Sequence, residues 1–180
     1  AALSKVWPAI VERKDPLLAV DTLAELLVRG HDARLTFVGQ GPLEEEIRER
    51  ARLLDITDRV RLTGSLDRDG VLDQLSRAHL FLGPTRGDNF FVSCAEALVA
   101  GRPVVVGSTG GQGEYIDPAV GQTVPTQSAA AYADAVESVL DRTGGLTAEQ
   151  ISDTVGQRFS VEAVAAGYQD AYDRAGRGRR

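Results

Sequence analysis

"LFLGPTRGDNFFVSCAEALVAGRPVVVG", residues 80 to 107, holds two apolar strand-like runs, LFLGPT and RPVVVG, around a helical segment from Phe91 to Ala100. Strands and helices alternating in this way mark a parallel sheet with helices on both faces. The pattern extends in both directions. Upstream, SKVWPAIV reads as a first strand, interrupted by Pro8, a residue that a central strand does not welcome. Asp15-Pro16 reads as an N-cap with proline at the first helical position, followed by Val20, Leu23, Ala24 and Leu27 at helical spacing and a stop at Gly30. ARLTFVG is the next strand. After GQGP, the acids Glu44, Glu45 and Glu46 suit a helix's first turn, and Leu43, Ile47, Ala51 and Leu54 give that helix its inner face. RVRLTG is a further strand and Asp67 to Arg77 a short helix. Downstream, GQTVP is the last strand, and helices are expected over roughly Ser128 to Arg142, Thr147 to Gln157 and Ser160 to Ala175. Thr147 with Gln150 matches a capping box. With no repeat or linker, residues 1–180 read as one α/β domain, a doubly wound, Rossmann-like parallel sheet.

The 180 residues suffice for one full core and fall short of two. A net charge of −6 argues against a nucleic-acid partner or an anionic membrane surface, since both reward clustered cations. A single cysteine, Cys94, excludes an internal disulfide, fits a reducing compartment and so points to the cytoplasm. Its apolar neighbours make it a buried, inert thiol rather than a nucleophile. The start has no charged segment leading into an apolar one, and no apolar run approaches the ~20 residues of a membrane span. Other association with a membrane is left open.

Open parallel sheets bind ligands outside the carboxyl ends of their strands. LFLGPTRGDNFF is such a strand end running into a helix, where the amides of Phe90, Phe91 and Val92 would form an anion site. Glu96 lies about five residues further on, roughly 7–8 Å of helix, and its side chain leans back toward the helix start. A carboxylate there suits a ribose diol, accepting two hydroxyl hydrogen bonds. Asp88, on the loop with seven residues between it and Glu96, suits hydroxyls at the other end of a diphosphate. Ribose, diphosphate and a second polyol describe a nucleotide sugar. The opposing reading makes Asp88 a helix cap and Glu96 a surface acid. Glu96 sits in an otherwise apolar helix, where a solvated polar face is hard to build, and this favours a ligand. Gly39 and Gly41 either shape a tight turn or approach the ligand. Glu114 either caps local backbone or faces the donor.

The order and spacing of these segments resemble the C-terminal, donor-binding domain of retaining GT-B glycosyltransferases of family 4. ERKDPLLAVDTLAEL looks like the segment whose lysine contacts the diphosphate, and LTFVGQGPLEEEI like the strand, glycine turn and helix that follow. VRLTG is similar to the strand whose glycine end lies near the base. GDNFFVSCAEALVAGRPVV resembles the motif of two acids before AxGxPVV, STGGQGEYI the GGxxE loop, and FSVEAVAAGYQDAY the closing helix, about 160–175. The resemblance implies that Asp88 binds donor-sugar hydroxyls, the amides of Phe90 to Val92 bind phosphate, Glu96 holds the ribose and Lys14 neutralises the leaving diphosphate. Arg13, Gly39, Gly41, Gly64, Asn89, Gly110 and Gly111 complete the implied donor-binding set. It implies no metal or other cofactor, a UDP-sugar by default, and an N-terminal domain carrying the acceptor that is absent from this chain. On that reading the chain alone binds nucleotide weakly and transfers no sugar.

The sequence departs from the family pattern at three places. Asp88 replaces the usual Glu, Phe91 stands where glycine is common, and Pro8-Ala9 stands where a Gly-Arg pair is usual. Either the diphosphate leans on Lys14 and Arg13, or the first twelve residues are not native-like. Two rival functions remain. GQGPLE begins like a dinucleotide-binding GxGxxG but has Glu44 at the third glycine, and RVRLTG lacks the acid expected at its end, against an NAD-dependent oxidoreductase. A non-catalytic scaffold that lost donor binding draws support from Ala9 and Phe91.

Overall fold

The computed structural model describes residues 2–156, 158–160, 162, 163, 165, 166 and 169, with side chains described from Ile10 onward. Six strands, β1 (Ala2–Ala9), β2 (Arg34–Gln40), β3 (Val60–Leu62), β4 (Leu80–Gly83), β5 (Val104–Gly107) and β6 (Gly121–Val124), form one sheet in the order β3-β2-β1-β4-β5-β6. Every pairing is parallel, so the doubly wound fold read from the sequence is the fold observed. The strand order reverses at β1, which pairs with β2 on one side and β4 on the other.

Pro8 does not end β1. The register runs from Val6 opposite Val38 to Ala9 opposite Gln40, so β1 carries one residue more than β2 over this span. A bulge of this kind spares a proline the ladder bond that it cannot donate. Pairing resumes at once, with the Ile10 N–H donating to Gln40 O at 2.8 Å.

Helices cover both faces: α1 (Pro16–Val28), α2 (Glu44–Leu53), α3 (Arg68–Arg77), α4 (Val92–Val99), α5 (Ala129–Thr143) and α6 (Ala148–Asp153). One core joins α1, α2 and α5 to the sheet through Leu23, Ile47, Phe37, Leu35, Tyr132 and Val136. The other joins α3, α4 and α6 through Leu75, Phe81, Phe91, Leu98, Val106 and Ile151. Strands β4 and β5 are buried along their whole length, as befits a sheet covered twice. Local signals set the helix starts. The Asp15 carboxylate accepts from the Leu18 N–H at 3.4 Å, and the capping box of Thr147 and Gln150 is complete. The acids Glu44, Glu45 and Glu46 stand in the first turn of α2. The helix expected over Ser160 to Ala175 falls largely outside the described residues. Among those described, no helix is long and apolar enough to cross a membrane.

Candidate functional site

The switch point between β1 and β4 brings together the loops that leave their carboxyl ends. The Arg86 N–H donates to Arg13 O at 2.9 Å, and Arg13 Nη1 donates to Gly87 O at 3.1 Å. Across this junction Lys14 Nζ forms an ion pair with Asp88 Oδ2, and Arg13 Nη1 stands 4.0 Å from Asp88 Oδ1. Lys14 Nζ also lies 4.0 Å from the centroid of the Phe91 ring, in cation–π geometry. The Lys14 and Asp88 side chains are only 11% and 13% exposed. Burial draws the Lys14 pKa below its ordinary value, and the hydrogen bond to Asp88 opposes that shift. Two cations and an acid predicted from sequence, 74 residues apart along the chain, are therefore neighbours.

The glycine loop after β5 closes the other side of Asp88. The Asp88 N–H donates to Thr109 O at 3.2 Å and the Gly111 N–H to Asp88 O at 3.3 Å, so Asp88 and Gly110 pair as a parallel bridge. Gly110 has φ 130°, and a side chain there would overlap the Asp88 carbonyl. Asn89 also lies close to Gly111, whose missing Cβ would stand 2.6 Å from Asn89 O. Gln112, fully buried, braces the loop by donating to Thr109 O at 3.1 Å and to Gly107 O. Glu114 is exposed, and its backbone oxygen accepts from Arg158 at 2.9 Å.

On the far side of the Asp88 loop, a cavity of about 860 Å³ opens between α3 and α4. Leu66, Val71 and Leu72 line it from the α3 side, Phe90, Val92 and Val99 from the α4 side. Gly39, whose N–H donates to Gly64 O at 2.9 Å, lines it where β2 ends. Glu96 and Arg68 are the charged members of the lining among the described residues. Glu96 is exposed into this space and has no hydrogen-bond or ion-pair partner among the described residues. The apolar surroundings desolvate its carboxyl and raise its pKa.

Several sequence expectations change here. The helix α4 does have a solvent-side face, built from Val92, Glu96 and Val99, so Glu96 is neither buried nor paired. Asp88 does not line the cavity that Glu96 lines; Phe90, two residues on, does. The Val92 N–H donates to Phe90 O at 2.9 Å and is taken up locally instead of standing open. The side chain of Phe91 lies in the core at 1% exposure, edge-on to Phe81 at 5.6 Å, and the absent Cβ of Gly83 makes room for it. Gly41 presses on the backbone of Ile10, where a side chain would overlap the Ile10 carbonyl; its reason is packing. Cys94 is buried and its thiol is pushed up to about 12, consistent with an inert group. Arg68 was missed. It follows the capping residue Asp67 as the first residue of a charged helix, where a solvated arginine is the ordinary reading.

A family model described as glycosyl transferases group 1 matches residues 6–142. Alpha-D-kanosaminyltransferase of Streptomyces kanamyceticus is 28% identical over 123 residues, 68% of this chain and 32% of that protein. A GDP-mannose-dependent alpha-(1-6)-phosphatidylinositol dimannoside mannosyltransferase of Mycobacterium tuberculosis is 33% identical over 125 residues, 69% of this chain and 32% of that one. The chain thus spans about a third of the length of the curated relatives it matches. Among solved structures, the C-terminal domain of a group 1 glycosyl transferase (LpcC) from Francisella tularensis superposes with a TM-score of 0.75 at 14% identity, covering 89% of this chain and 87% of that domain.

Proposed function

Because the chain belongs to the glycosyl transferases group 1 family, we propose that it is the donor-binding half of a retaining glycosyltransferase, which moves a sugar from a nucleoside-diphosphate sugar, UDP-linked by default, to an acceptor hydroxyl. The observation that carries this reading is Glu96, a carboxylate with no partner among the described residues, on the wall of a mainly apolar cavity at the carboxyl edge of the sheet. The apolar walls beside Glu96 partly desolvate its carboxylate, a cost that a ligand's hydroxyls would offset.

Glu96 would accept hydrogen bonds from the ribose diol inside the cavity. The diphosphate would then run past Phe90 toward the switch point, where Lys14 and Arg13 supply positive charge. As the glycosidic bond breaks, charge builds on the departing diphosphate, and cations fixed in place stabilise it without reorganising. Asp88 holds Lys14 in position until the donor arrives and, anchored by the glycine loop, would accept hydroxyls of the donor sugar. Leaving-group stabilisation is assigned to these cations, with no bound metal. The other half of the enzyme, an N-terminal domain, would bring the acceptor.

Two observations weigh against the scaffold reading. The Phe91 side chain lies in the core, and Lys14 and Arg13 put two cations where Ala9 supplies none. Titrating the 180-residue chain with UDP, GDP and ADP, followed by calorimetry, decides between the readings. Saturable binding to the wild type that is lost in Glu96→Ala supports the transferase half; binding by neither protein would establish the scaffold.

A further inference from the structure

Arg68 and Glu96 face the same cavity from different helices, one at the first residue of α3, the other within α4. They carry opposite charges in a space walled mainly by Leu66, Leu72, Val92 and Val99, yet no hydrogen bond or ion pair is made by either among the described residues. Opposite charges left apart in apolar surroundings are each available to a ligand that lies between them. Resting on the nucleotide-sugar reading above, a ribose on Glu96 places its base toward the α3 wall, where the aliphatic side chains of Leu66, Val71 and Leu72 offer an apolar surface to an aromatic ring.

We propose that Arg68 reads the base of the donor and selects bases with a carbonyl edge, uracil or guanine, over those with an amino edge, adenine or cytosine. Arginine offers five N–H donors in a planar fork and no acceptor. Carbonyl oxygens such as O4 of uracil, or the O6 and N7 pair of guanine, accept from it. The exocyclic amino groups of adenine and cytosine are donors themselves and would turn an N–H toward an N–H. Ser65, on the loop between Gly64 and α3, lines the same end of the cavity with a hydroxyl that can serve as donor or acceptor to any of the four bases, so discrimination falls to Arg68.

The test uses the 180-residue chain and four free nucleotides: UDP, GDP, ADP and CDP. The wild type should bind UDP or GDP roughly tenfold or more tightly than ADP and CDP. In Arg68→Ala that ratio should collapse toward one, while the affinity for ADP and CDP and the melting temperature hold. Arg68→Lys, which keeps the charge without the fork, should recover only part of the preference. A uniform loss across all four nucleotides would assign Arg68 to the phosphates and overturn the proposal, as would an unchanged ratio. If nucleotides bind and Glu96→Ala abolishes binding while Arg68→Ala leaves base preference intact, this inference fails alone; if no nucleotide binds the wild type, the donor-binding reading fails with it.

Discussion

Glu96 makes two opposite demands on pH. Its pKa is raised in the folded chain because the apolar walls beside it partly desolvate the carboxyl. Between the ordinary glutamate value near 4.3 and that raised value, the native state holds more protons than the unfolded one. The sign follows: stability from this group is greatest at the acid end and falls as pH rises through the window. Ligand binding runs the other way, because only the ionised carboxylate accepts from both ribose hydroxyls. Nucleotide affinity should therefore weaken on mild acidification, at a pH where a fully solvated glutamate would still be charged, and Glu96→Gln should bind more weakly with a flatter profile. Titrations at a series of pH values, with wild type and variant compared under the same buffer, check this. Identical profiles for the two would remove Glu96 from the site. Lys14 and Asp88 were each assigned to the donor by resemblance, but nothing in the sequence joined them as an ion pair. Sequence places a lysine and an acid on two strand-end loops, and only the strand order makes those loops neighbours.

At the level of elements, the legible parts were those governed by local chemistry. Asp15-Pro16, the three acids opening α2 and the Thr147 capping box each declare a helix start through groups within one turn. The apolar runs of β4 and β5 declare buried parallel strands. What stayed hidden depends on partners distant in sequence. The bulge that accommodates Pro8 exists only against β2, and the exposed apolar face of α4 exists only because α3 stands away from it across the cavity. The tight turn after β2 shows the same dependence. Gly41 looks like part of a ligand loop, but what forbids a side chain there is the carbonyl of Ile10. Gly41→Ala should cost about 1–3 kcal/mol, the range for backbone strain at a crowded site, measured as a lower urea midpoint with an unchanged slope. A loss of nucleotide affinity at full stability would instead place Gly41 at the ligand.

For the molecule as a whole, the division of labour is the decisive question. The chain covers about a third of its curated relatives, and on the function proposed above it would supply one wall of a two-domain cleft. The 180-residue chain should bind nucleoside diphosphate weakly and release no product from a nucleotide sugar, by an assay of free UDP or GDP, with or without added acceptor. Turnover by this chain alone would refute the division. The strand order carries a further consequence for how such a chain comes into being. Leu3 and Ser4 wait for Leu80 and Phe81 as their partners on one flank. While a ribosome is still extending the polypeptide, the first three strands can assemble, but the innermost ribbon keeps one row of amides and carbonyls bare until Leu80 and Phe81 have followed it out. Such an open flank invites pairing with another nascent copy. Slow translation or chaperone shielding over that interval is therefore expected to govern yield more than the final stability does.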